Sequence, residues 1–288
     1  MWLAFAFLSA FQLGFYDVAK KRALRSNAVM VVLLLNCLFS SLIFLPVAFN
    51  APFGGWEVQK WIVLKAFIVL SSWIMGYYAM AYLPLTLVGP VNATRPVLVL
   101  IGAMLIFGER LNGWQWAGVV VAMTGFYLLK LGGKKEGIDF WHNRWIICLI
   151  VAALLGACSG LYDKFLMSAP EKGGLGLNRL TLQSYFNFYQ FIIMGVICLS
   201  KRDAISHFKW SWAIPLISIF ICAADLAYFY ALSLDGAMIS IISMVRRGSV
   251  IVSFAVGAFI LHEKNIRSKA IDLLLVILSM ILLYIGTK

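Results

Sequence analysis

The stretch WLAFAFLSAFQLGFYDVAKKR, residues 2–22, decides how this sequence is read. Its first part, Trp2 to Phe15, is an almost unbroken apolar run. About 20 such residues are what an α-helix needs to cross a bilayer. A cleaved leader would carry a basic residue before the run and a small-x-small site after it. Neither is present, so the run is expected to be a first retained span. It ends in Gly14-Phe15-Tyr16-Asp17, and Gly160-Leu161-Tyr162-Asp163 ends another apolar run 146 positions later. The same stretch therefore raises two questions: how many spans the chain has, and whether it is duplicated.

Composition answers part of the first. Of 288 residues, 62% are hydrophobic and 12% charged, against roughly 45–50% and 25% in a soluble globular protein. Mean hydropathy is +0.91. A water-soluble fold of this size has too little interior for so much apolar surface, so a polytopic membrane protein is expected. Ten runs are long enough to be spans: 2–19, 28–49, 61–83, 85–107, 114–131, 144–166, 180–200, 210–234, 236–261 and 269–286. They are continuously apolar rather than alternating at period two, which favours helices over a barrel. The short connections leave no room for a soluble catalytic domain.

The second question is answered by further echoes. Tyr78-Ala79 matches Tyr230-Ala231 and Arg95 matches Arg247, each at an offset of 152. Phe107-Gly108-Glu109-Arg110 matches Leu261-His262-Glu263-Lys264 at 154. The order is kept and the offset drifts little. Each copy holds five spans, an odd number, so the second copy must enter the membrane from the opposite side. The expected fold is all-α: ten transmembrane helices as two inverted five-helix repeats, residues 1–133 and 134–288. Such a duplication places a site near the midplane between two halves that rock.

These residues carry a resemblance. Five plus five spans, with Arg95-Pro96 leading to Glu109-Arg110 and Arg246-Arg247 leading to Glu263, resemble the drug/metabolite transporter superfamily, EamA-like branch. The resemblance implies an exporter or exchanger of amino acids, metabolites, nucleotide sugars or drugs, and does not choose among them. The sequence departs from the family pattern in two places. Arg247 is followed by Gly-Ser rather than proline, and His262 replaces the usual glycine before Glu263.

Other chemistries are not supported by the residues. The net charge of +12 sits in short clusters such as Lys20-Lys21-Arg22, as loop charges that orient spans do. No basic face with interleaved aromatics exists to track a nucleic acid. The five cysteines lie in apolar runs without Cys-x-x-Cys or metal spacing and are read as packing residues. No Ser/His/Asp set, paired carboxylates, metal spacing or phosphate loop is present, so no enzyme and no cofactor is expected.

The candidate site rests on charges inside spans, which are costly in lipid and usually face a cavity. Arg95, Asp225, Arg246 and Arg247 fall near the middles of their runs. As a functional set, the arginines hold an anionic group and Asp225 balances them. As a structural set, Asp225 simply pairs with Arg246 or Arg247. Adjacent residues project about 100° apart on a helix, so only one of that pair is expected to point straight into a cavity, with Arg247 favoured by its repeat partner. In span 4, Pro90 and Pro96 interrupt the helix around Asn92 and Thr94, which are placed to meet the freed carbonyls. Gln183, Asn187 and Gln190 share one face of span 7 and read as a cavity wall or as interhelical glue. Tyr228, one turn after Asp225, joins that wall. Tyr16-Asp17 and Tyr162-Asp163, with Lys20 and Lys164 in reach, read as alternating gates at opposite faces or as interfacial anchors.

The function expected is secondary transport of a small polar, anionic or zwitterionic metabolite such as an amino acid, by alternating access. The alternative is translocation of a lipid or lipid-linked headgroup on the same arginines. Expected partners are the small-molecule substrate, membrane lipid and a coupling proton carried by Asp225, with no nucleic acid, in a monomer or homodimer of the plasma (inner) membrane. Lys and Arg are more numerous beside loops 1–2, 3–4, 5–6, 7–8 and 9–10, which places both termini outside. The family resemblance places them inside.

Overall fold

The computed structural model describes residues 2–84, 87–88, 91–92, 94–107, 112–114, 116–121, 124, 143–200, 208–234, 237, 239–259 and 266–286. The described residues are all helical or loop. In chain order the helices are α1 (Trp2–Ala23), α2 (Val29–Asn50), α3 (Gly55–Tyr82), α4 (Arg95–Phe107), α5 (Arg144–Met167), α6 (Arg179–Ser200), α7 (Ala213–Leu232), α8 (Ile239–Arg247), α9 (Ser249–Phe259) and α10 (Ile266–Ile285). Six of them, α1, α2, α3, α5, α6 and α7, are long and apolar enough to cross a membrane. The chain is an integral, multi-pass membrane protein. Of the expected fifth span, residues 114, 116–121 and 124 are helical; its remainder, Glu109-Arg110, Glu263-Lys264, Pro90 and the three histidines lie outside the described residues.

Local chemistry sets the helix ends. Asn27 closes α1 by donating from its amide to the Ala23 carbonyl, while its own oxygen accepts from the Lys209 backbone N–H at 2.7 Å. Gly54 and Gly55, both at positive φ, turn the chain sharply into α3. Asn143 caps α5 by accepting from Trp145 N–H at 2.9 Å. α3 starts six residues earlier than the apolar run suggested, because Glu57, Gln59 and Lys60 in its first turns break the hydropathy but not the helix.

Helices pack through small residues at close approach, as helices in lipid do. α1 lies antiparallel on α7, with Phe5 tilted against Tyr230, Phe15 stacked on Phe220 and Ser9 Oγ donating to Ala224 O at 2.7 Å. α3 lies antiparallel on α5, with Ser72 Oγ donating to Ala152 O at 2.8 Å. α2 packs on α6; α3 also meets α6, and α2 meets α7. α1 touches α8 and α9, α5 touches α4, and α4 touches α8. The contacts recur in like pairs: α1 on α7 and α3 on α5, α3 on α6 and α2 on α7, α1 on α8 and α9 and α5 on α4. The match reaches single residues: Gly14 lies against Val252, and Gly160 against Val99.

Two of these helices are interrupted. Thr94 makes a turn before α4, where its hydroxyl and its backbone N–H both donate to the Val91 carbonyl, at 2.7 and 3.2 Å. Gly248 separates α8 from α9, its N–H reaching Val245 O at 2.9 Å. The break therefore occurs without the proline usual in the family pattern. The glycine that stands there carries no Cβ to hold the helix straight.

Candidate functional site

The described helices surround a cavity of about 160 Å³, walled from α1, α3, α4, α5, α7, α8 and the start of α9, with Phe186 of α6 at one side. At roughly 10–15 Å³ per water on this scale, it has room for about ten waters or a ligand of similar bulk. The sequence-derived set is largely gathered here: Tyr16, Asp17, Asn92, Arg95, Asp163, Asp225, Tyr228, Arg246 and Arg247 all line it. Arg246 and Arg247 both face it, contrary to the expectation of one. The helix ends at Arg247, so the regular 100° separation no longer constrains the pair.

The charges resolve into three ion pairs and a remainder. Asp225 Oδ1 accepts from Arg246 Nη2 at 2.6 Å, and this guanidinium also stacks on the Tyr228 ring at 4.2 Å. Asp17 pairs with Lys20 of its own helix at 3.0 Å. Asp163 pairs with Lys65 of α3, not with its neighbour Lys164, and accepts from the Tyr228 hydroxyl at 3.2 Å. Five cations thus face three carboxylates in the lining. Among the described residues, Arg95 and Arg247 have no carboxylate partner. Arg95 donates Nη2 to Ala152 O at 3.0 Å and rests on Gly156, whose missing side chain makes its seat. Nε of Arg95, Arg246 and Arg247 and Oδ1 of Asn92 are buried without a partner.

The two Tyr-Asp motifs sit toward opposite ends of the cavity. Tyr16 meets Tyr77 hydroxyl to hydroxyl at 3.3 Å, and Asp163 meets Lys65. Tyr77 and Lys65 are twelve positions apart on α3, about 18 Å at 1.5 Å per residue. Tyr162 turns away from the cavity and donates to Trp61 O at 3.1 Å. Gln183, Asn187 and Gln190 share one buried face of α6 but are not in the cavity wall; the apolar ring of Phe186 occupies that position instead.

Lys65 is the functional candidate that sequence reasoning missed. Its signal was present, a lysine flanked by Ile62-Val63-Leu64 and Ala66-Phe67-Ile68. Placing the start of the span at residue 61 made it look like a boundary charge. With α3 beginning at Gly55, it lies three turns inside, 2% exposed.

Fold and cavity together define the class: a polytopic helical membrane protein with charges turned inward onto a small chamber. Within that class, residues 1–131 match the model of the EamA-like transporter family, which bears out the resemblance read from the sequence. The chain is similar to a probable magnesium transporter, NIPA9, of Arabidopsis thaliana, at 22% identity over 244 residues, covering 78% of this chain and 70% of that one. It is also similar to a probable 4-amino-4-deoxy-L-arabinose-phosphoundecaprenol flippase subunit, ArnE, of Aeromonas hydrophila. That match is 28% identical over 80 residues, covering 27% of this chain and 70% of the relative. A solved crystal structure superposes over 98% of this chain and 96% of its own, with a TM-score of 0.68 at 12% identity, a likeness of fold.

Proposed function

We propose that this protein is a secondary transporter of a small anionic solute, working by alternating access between two inverted five-helix repeats, residues 1–133 and 134–288, in the plasma membrane. One observation carries the reading. After the three cavity carboxylates are matched, Arg95 and Arg247 are left facing the chamber with donors to spare. A buried cation without a counter-charge is costly, and an anionic cargo supplies one. The recurrence of contacts in like pairs, and the Gly14–Val252 and Gly160–Val99 approaches, support the repeat.

Magnesium, the cargo in the name of one relative, fits this chamber poorly. Each carboxylate is already held by a cation, and the described residues hold no group of three His, Cys, Asp or Glu placed for a metal. The match to a flippase subunit favours a second reading, a lipid-linked anionic headgroup. Against it, the chamber is lined by residues of α1, α3, α4, α5, α6, α7, α8 and α9. The test is uptake into proteoliposomes of labelled phosphate, sulfate, dicarboxylates, amino acids and Mg²⁺. Uptake of an anion that falls at least tenfold in Arg247→Gln is expected. Mg²⁺ uptake unaffected by that substitution, with no anion taken up, would overturn the reading.

A further inference from the structure

The amide row of α6 is the largest group of polar side chains that the cavity does not use. Gln183, Asn187 and Gln190 are at most 2% exposed. Among the described residues, both polar atoms of Gln183 and of Gln190, and the Asn187 amide nitrogen, have no hydrogen-bond partner. Five orphaned polar atoms on one helix face are hard to reconcile with permanent burial, because each forfeits its bonds to water. The row begins at the end of the bundle that holds the turn at 51–54, where Tyr185 donates to Ala51 O at 3.2 Å, and it runs to mid-helix. Along the same flank, Gln59 of α3 is fully buried and accepts from the Tyr189 hydroxyl at 2.9 Å.

Beside this row, one residue of α6 reaches the chamber. Phe186 lines the chamber and projects about 40–100° around the helix from the three amides. The Lys65 ammonium lies over the Phe186 ring at 4.8 Å and over the Phe229 ring at 4.7 Å while it pairs with Asp163. Asp163 in turn accepts from Tyr228. One lysine therefore ties α3 to α5, α6 and α7 at this end. At the opposite end Asp17 takes its lysine from its own helix, and that Lys20 lies over the Tyr77 ring, tying α1 to α3 alone.

We propose that Gln183, Asn187 and Gln190 line a hydrogen-bonding exit path for the cargo, shut in this conformer by Phe186 and by the Lys65–Asp163 latch. The inference rests on the transport reading above and assigns that site its second half. The amides lack partners here because the path they serve is closed. When the latch parts and Phe186 withdraws, water and cargo become their partners. Uncharged amides suit the task, since they hand an anion outward without holding it as the arginines do.

The test is thiol accessibility in full-length protein with its five cysteines replaced, held in nanodiscs so that both faces meet the reagent. Asn187→Cys is the reporter; the Asn187 backbone oxygen, not its side chain, accepts from Ser41. Met194→Cys, further along α6 and fully buried, is the control for general loosening. A charged maleimide is expected to label Asn187→Cys at least tenfold faster when Lys65→Met and Asp163→Asn are combined, and also in Phe186→Ala, with Met194→Cys unchanged. Equal rates with and without the latch, or an equal rise at Met194→Cys, would overturn the path. The thermal shift given by inorganic phosphate, with and without Arg95→Gln, is measured on the same preparations. Flat labelling with an Arg95-dependent shift rejects the path and leaves the anion site standing. Raised labelling without that shift supports the path and rejects the anion site.

Discussion

Gly156→Ala is a small change aimed at the seat of Arg95. A Cβ built at this position falls inside van der Waals distance of the guanidinium, at 2.5 Å from Nη1 and 2.9 Å from Nε. The guanidinium must move by about an ångström, which breaks its 3.0 Å bond to Ala152 O and re-aims it in the chamber. Overpacking costs about 1–3 kcal/mol. Arg95 is the far end of a flexible side chain, so the low end, about 1 kcal/mol of stability, is expected. Binding should suffer more. A misdirected hydrogen bond to a charged ligand costs about 1.5–3 kcal/mol, roughly ten- to a hundredfold in Kd. The assay is an anion titration of the purified protein beside its thermal unfolding. Gly195→Ala on α6, where an added Cβ meets nothing within 4 Å, is the control; it should bind normally and unfold no earlier. Anion affinity within twofold of the unsubstituted protein in folded Gly156→Ala would refute the assignment of Arg95 to the site.

Further outcomes follow from the packing. Lys65→Met alone should cost about 3–5 kcal/mol by stranding Asp163, while Lys65→Met with Asp163→Asn should return close to the starting stability; denaturant unfolding in detergent decides, and a single-variant cost below about 1 kcal/mol would contradict the buried pair. Gly14→Ala places a Cβ 2.5 Å from Val252 Cβ and should destabilise by about 1–3 kcal/mol in the same unfolding assay; because the clash is with the Cβ itself, adding Val252→Ala should not relieve it fully. Ser9→Ala and Ser72→Ala each remove one interhelical bond to an alanine carbonyl and should each cost about 0.5–1.5 kcal/mol, equal within error as measured by thermal unfolding.

What the sequence made legible was the set of residues whose type conflicts with their surroundings. Arg95, Arg246, Arg247 and Asp225 stand out in apolar runs, and the structure brings them to one chamber. Repetition drew attention to Asp17 and Asp163; Asp17 takes Lys20 three positions on, as local spacing allows, whereas Asp163 takes Lys65 of α3, which no local spacing encodes. Lys65 stayed hidden because the polar first turns of α3 shifted its apparent depth. The break at Gly248 stayed hidden because glycine interrupts a helix less visibly than proline does. The amides of α6 were recognisable as one face. That face is not in the chamber wall, since its direction depends on how α6 is rotated against α2 and α3.

The account turns on two guanidiniums left over after every carboxylate in the chamber is matched. Calorimetric titration of the purified protein with phosphate, sulfate and dicarboxylates tests it most directly. Binding is expected to weaken at least tenfold in Arg95→Gln and in Arg247→Gln and to vanish in the double variant. A double variant that binds these anions as tightly as the unsubstituted protein would contradict it.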